Sequence, residues 1–171
     1  MRHLTITLAA LASAAACHPA GARAALGGEG ATLTTDSLEY GVSQAGGLYQ
    51  AAIGFTYTNR TDTVLSVNYC RVPGPPTLEK RVDGQWVRAY DAVRLLCLAI
   101  PPFRLPAGES YHADLRLAVG VPGANVFPQL DVDSIPGVYR LRWALHVGPN
   151  PDATDTTMVQ AISNEFRLVL R

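Results

Sequence analysis

The chain has 171 residues, 48% of them hydrophobic and 16% charged, a balance that supports one globular domain and excludes a disordered ground state. Its 14 basic and 14 acidic residues give zero formal charge and form no basic run or stripe. That distribution argues against nucleic-acid binding driven by phosphate neutralisation.

The first element is a leader. In MRHLTITLAALASAAAC, Arg2 precedes an apolar run from Leu4 to Ala16. Such a run is shorter than the ~20 residues of a membrane-spanning helix and ends in small residues, as secretory signal peptides do. Two cleavage sites compete. Ala15 and Ala16 directly before Cys17 resemble a bacterial lipobox, with Ala14 standing where leucine is commoner. Cutting there makes residues 1–16 the signal peptide and Cys17 the lipid attachment site. Ala22-Arg23-Ala24 instead matches the A-x-A pattern of ordinary cleavage. The Gly/Ala-rich stretch 17–31 reads as a flexible tether, which favours the anchor. The expectation is an exported protein anchored in membrane lipid through Cys17 and facing the periplasm or cell surface. Cleavage after Ala24 would make it secreted or periplasmic.

Under either cut Cys17 is lipidated or discarded, leaving Cys70 and Cys97 as an even pair. In an oxidising compartment that pair is expected to form a disulfide worth about 3.5 kcal/mol in the chain-entropy model. Two buried free thiols are the alternative.

From residue 32 to 171 the hydrophobic pattern has period two. Tyr49, Ala51, Ile53, Phe55 and Tyr57 share one face. So do Tyr111, Ala113, Leu115 and Leu117, and so do Tyr139, Leu141, Trp143, Leu145 and Val147. These are half-buried antiparallel strands. Asp83-Gly84 between LEKRV and QWVRAY is a tight-hairpin signal, and LPAGES and SIPGVY punctuate two strand starts. The pattern predicts about seven to nine short strands, near 32–40, 48–58, 63–70, 77–82, 85–90, 94–98, 110–118, 137–147 and 163–170. DAVRLLCLAI reads equally as a helical turn. The fold class is all-β, a single Ig-like antiparallel β-sandwich.

The succession FTYTNRTDTVLSV, DGQWVRAY, RLPAGESYHADLRL and IPGVYRLRWAL resembles the Ig-like domains of exported bacterial proteins. It is similar in particular to the BsuPI-type proteinase-inhibitor domain, through its N-x-[ST]-D turn, G-x-W strand, L-x-x-G-E turn and G-x-Y strand. The likeness spans residues 53–147 and implies fold before activity. DSIPGVYRL also resembles the tyrosine corner of Ig domains. Leu141 stands where antibody domains have cysteine, so Cys70–Cys97 is not their inter-sheet bridge.

Ser110, His112 and Asp114 invite a catalytic-triad reading, but alternate strand residues lie ~6.6 Å apart with parallel side chains. They are expected to form one polar outer face. His112 and His146 are both assigned to outward faces and share no metal-ligand spacing. Asp131 with Asp133, or Asp152 with Asp155, are weak calcium candidates, and no metal or cofactor is expected. The proline-rich loops VPGPPT and AIPPFRLP are stiff and follow the two cysteines almost directly. Pro75, Pro76, Pro102, Phe103 and Arg104 are therefore the candidate binding residues.

Three functions follow. The first is a non-enzymatic anchored lipoprotein whose domain binds or braces another envelope protein. The second, implied by the resemblance, is a proteinase inhibitor acting outside the cytoplasm. The third is an enzyme or a sugar-binding module, for which Trp86 is the only outward tryptophan.

Overall fold

A computed structural model describes residues 31–67, 75–92, 102–150 and 157–171. Cys17, Cys70 and Cys97, the leader, most of the tether, the strand expected at 94–98 and the Asp152–Asp155 pair all lie outside the described residues.

Every regular element among the described residues is a strand, as the alternation predicts. They are β1 (Ala31–Thr35), β2 (Glu39–Ala45), β3 (Leu48–Asn59), β4 (Leu65–Val67), β5 (Thr77–Val82), β6 (Gln85–Asp91), β7 (Phe103–Leu105), β8 (Ser110–Gly120), β9 (Gly137–Val147), β10 (Met158–Ile162) and β11 (Phe166–Leu170). β5 and β9 match their expected limits. The hairpin at Asp83-Gly84 turns with both central residues at positive φ (49° and 80°) and pairs Val82 with Gln85. This is the type I′ geometry that Asp-Gly favours. Gly46-Gly47 (59° and 78°) does the same between β2 and β3.

The longest pairing is β3 with β8, antiparallel from Leu48↔Gly120 to Thr58↔Ser110. Its register puts Ile53 opposite Leu115 and Tyr57 opposite Tyr111, so the apolar alternation of both strands falls on one face. β9 is the central strand of the other half. It pairs with β11 and then β10 along one side, and with β5 and then β4 along the other. The halves are joined by β2, whose start runs parallel to β11 and whose end runs antiparallel to β3. Among the described residues the strands thus form one hydrogen-bonded sheet that curls on itself, with one parallel strand pair in an otherwise antiparallel order.

Curling brings β3 and β9 face to face although they share no hydrogen bonds. Trp143 of β9 meets Phe55 at 5.6 Å and Tyr57 at 5.4 Å, both edge-on. Trp143, Tyr57, Ile53, Leu141 and Leu145 are fully buried. Burying a large apolar side chain contributes about 1.5–3 kcal/mol, so each of these residues adds appreciably to the fold's stability.

Two turns are held by buried side chains. Tyr139 is buried, and its hydroxyl donates to Ile135 O at 2.5 Å, the bond that defines a tyrosine corner. Asn59 is buried too, and every side-chain valence is used. Its Nδ2 donates to Thr63 O (2.8 Å) and Leu105 O (2.9 Å), while Oδ1 accepts from Thr61 N (3.0 Å) and Thr61 Oγ1 (2.6 Å). The N-x-T-D turn is therefore a buried clasp between β3 and the LPAGES turn.

Some expectations need correction. The strand expected at 32–40 breaks at Asp36–Leu38, because Asp36 turns back to accept the Tyr40 hydroxyl while its N–H donates to Gly54 O. The strand expected at 163–170 begins only at Phe166, as β11, and β10 precedes it where no strand is expected. The two separate at Ser163, whose N–H and Oγ take over the pairing with Leu141. Phe103 and Arg104 lie on a strand and not in a loop, since β7 finds a backbone partner in β4. His146 is buried, at the end of β9 that pairs with β4 on one side and β10 on the other.

Candidate functional site

The ends of the curled sheet define a seam. Among the described residues β8 pairs with no strand but β3, apart from a bridge from its last residue, Gly120, to Gln129, and β7 pairs only with β4, so these two strands border the place where the sheet does not close. Side chains bridge it. Phe103 from β7 lies against Tyr111 from β8, ring centroids 4.4 Å apart, and Tyr111 in turn meets Phe55 at 6.3 Å and Trp143 at 6.1 Å.

The chain entering β5 arrives at the same place. Pro75 and Pro76 line a shallow depression of about 60 Å³ together with Tyr111, Phe55, Trp143 and Asp114. Three of the five candidate binding residues, Pro75, Pro76 and Phe103, therefore converge on Tyr111. Pro75, Phe103 and Tyr111 are half-buried, whereas Pro76 is buried and serves packing. Pro102 is half-buried beside them. Arg104 points away and is exposed, its Nε donating to Pro149 O at 3.0 Å. By alternation alone Tyr111 belongs to the core face. Its place at the first inward position of β8, directly after the LPAGES turn, is the signal that it sits at the core's edge.

Ser110 and His112 do not reach each other. Thr58 Oγ1 and Ser110 Oγ are 2.8 Å apart, and His112 Nδ1 is 2.8 Å from Thr56 Oγ1, both across the β3–β8 ladder. These are cross-strand polar pairs on an exposed face, not a relay. Asp131 pairs with Arg88 at 2.8 Å instead of joining Asp133.

The outer face of β5, β6 and β9 carries a charged lattice. Glu79 is buried between Arg140, whose Nε is 2.8 Å from Oε2, and Arg142, whose Nε is 2.7 Å from Oε1. The Arg142 contact is an ion pair without hydrogen-bond alignment. The Arg140 guanidinium also lies 4.3 Å over Trp86, with Arg81 at 5.9 Å. Trp86 thus presents a ring already occupied by cations. Lys80, the only lysine, is buried and donates to Ser134 O (2.6 Å) and Ser134 Oγ (3.0 Å). Burial lowers its pKa from 10.5, with Asp133 opposing that shift.

No protein-family model matches the chain, and no curated protein sequence matches it. Among solved structures it is similar to a β-glucosidase from Listeria innocua in complex with gluconolactone. Identity there is 16%, over 80% of this chain and 16% of that chain, with a TM-score of 0.31. A mutant of that enzyme in complex with laminaribiose gives 16% identity, the same coverages and a TM-score of 0.30. The chain spans about one sixth of the enzyme's length, and a likeness this slight says nothing of activity.

Proposed function

We propose that this chain is an exported, non-enzymatic lipoprotein, anchored through Cys17, whose domain docks on another envelope protein through the seam around Tyr111. The observation that carries the reading is the convergence of Pro75, Pro76 and Phe103, drawn from separate segments, on one half-buried tyrosine. Rigid prolines and aromatics order at low entropic cost and recur at interface hot spots. The depression of about 60 Å³ is far below the ~300–1,000 Å³ of a small-molecule site, which favours a macromolecular partner offering one small apolar side chain. The leader, lipobox-like Ala-Ala-Cys and Gly/Ala tether support a position outside the cytoplasm.

Affinity capture from host envelopes tests it. A protein recovered with the native domain should be lost with Phe103→Ser and retained with Thr34→Arg on the opposite face. Equal recovery by both variants contradicts the seam. The inhibitor reading makes a different prediction, stoichiometric loss of activity when the domain titrates serine, cysteine or metalloproteases.

A further inference from the structure

A second concavity lies away from the seam, where the segment from Val121 to Asp131 folds back over β6. This segment is pinned along its length. Val121 N donates to Gly47 O (2.9 Å), Gly120 N to Pro128 O (2.8 Å), Gln129 Nε2 to Ala124 O (2.6 Å) and Asp131 N to Ala89 O (2.9 Å). Gly120 allows the close approach, since a Cβ there would stand 2.4 Å from Val126 O. On this fixed loop Phe127 is 76% exposed, the most exposed large hydrophobic side chain among the described residues. Beside it opens a cleft of about 400 Å³ lined by Arg88, Tyr90, Asp91, Phe127, Gln129 and Asp131. Its volume falls within the range of small-molecule sites.

The charges in the cleft are already matched to one another. Arg88 Nε lies 2.8 Å from Asp131 Oδ2, and Arg88 Nη1 lies 3.4 Å from Asp91 Oδ2. One net negative charge remains among the three, so an ionic ligand gains little. What the network does offer is a fixed, solvent-accessible array of acceptors and donors. Two carboxylates have lone pairs beyond those Arg88 uses, and the guanidinium has more N–H groups than these contacts consume. A neutral ligand carrying several hydroxyls and one apolar ring face fits that array and the exposed phenyl ring together.

We infer that this cleft binds a neutral saccharide of one or two pyranose rings. The C–H face of a ring stacks on Phe127, and its hydroxyls donate to Asp91 and Asp131 and accept from Arg88. Trp86, the residue the sequence offers for such a role, is covered by Arg140, so the recognition falls to Phe127 instead. This site is independent of the seam and stands or falls apart from it.

The test is a ¹H–¹⁵N NMR titration of the protein with glucose, galactose, mannose, N-acetylglucosamine, maltose and cellobiose at millimolar concentrations. At least one sugar is expected to shift amides of residues 88–91 and 127–131. Its affinity should fall about tenfold in Phe127→Ala and by a similar factor in Asp131→Asn. Phe127 is exposed, so F127A should retain the wild-type melting temperature and spectrum. The inference is overturned if no sugar moves those amides, if the shifts map elsewhere, or if F127A binds as tightly as the wild type.

Discussion

Asn59→Ala is the sharpest test of what holds the fold. The substitution deletes four side-chain hydrogen bonds at a fully buried position. Their consequences differ. Thr61 is half-buried, so its N–H can turn to water at little cost. Its hydroxyl, released from Oδ1, can donate to Thr63 O, 2.9 Å away. Leu105 O, in contrast, loses its Asn59 donor inside the protein, and an unsatisfied buried carbonyl costs about 1–3 kcal/mol. Adding about 1 kcal/mol for the net worth of the remaining bonds gives a destabilisation of about 3 kcal/mol. For a chain of this size that lowers the melting temperature by about 6–12 °C. Urea unfolding followed by tryptophan fluorescence measures it, with Thr61→Val, which keeps both Nδ2 donations, expected to cost about 1 kcal/mol. A loss below 1 kcal/mol for N59A, at unchanged m-value, would refute the clasp.

Glu79→Ala should destabilise by about 3 kcal/mol, because it leaves Arg140 and Arg142 facing each other without the buried carboxylate; a smaller figure than for a fully buried triad is expected since Arg142 is 41% exposed. Alkaline pH should unfold the protein steeply. Burial raises the pKa of Tyr57, Tyr90 and Tyr139, and that of Tyr40 to about 12, all from 10.0. Above pH 10 the folded chain therefore binds more protons than the unfolded one, and stability falls as pH rises. Lys80 acts oppositely just below 10.5, where the unfolded chain holds the extra proton and stability climbs with pH. Urea midpoints that stay flat above pH 10 would contradict the tyrosine burial. Amine-reactive reagents should modify Lys80 only after denaturation, as peptide mapping can show; rapid native labelling would mean its amine is not held by Ser134.

How much of this was legible in the sequence depends on how regular each segment is. Tyr49 to Tyr57 and Tyr139 to Val147 each turn one face inward, buried except for the half-buried Ala51 and Val147, so alternation alone located them. Asp83-Gly84 needs positive φ at both positions, and few residue pairs meet that demand. β10 escaped because MVQAI buries only Ala161 deeply and so shows no clear alternation. His146 reads as outward by parity, yet parity does not reveal that both faces are buried at the far end of β9, where β4 and β10 flank it. The seam was half visible. The prolines and Phe103 were identifiable as stiff, apolar and close to the cysteines, whereas Tyr111 became their meeting point only through the β3–β8 register. The cleft was invisible, since VPGANVFPQL shows neither period and its exposed Phe127 depends on long-range backbone pins.

The seam's role is tested most directly by site-specific photocrosslinking in living host cells, with benzoylphenylalanine placed at position 103, 75 or 34. A discrete crosslinked species from positions 103 and 75, abolished by Tyr111→Asp and absent from position 34, is the predicted result. Crosslinks of equal pattern from all three positions, or none from the seam while the protein is correctly anchored, would contradict it.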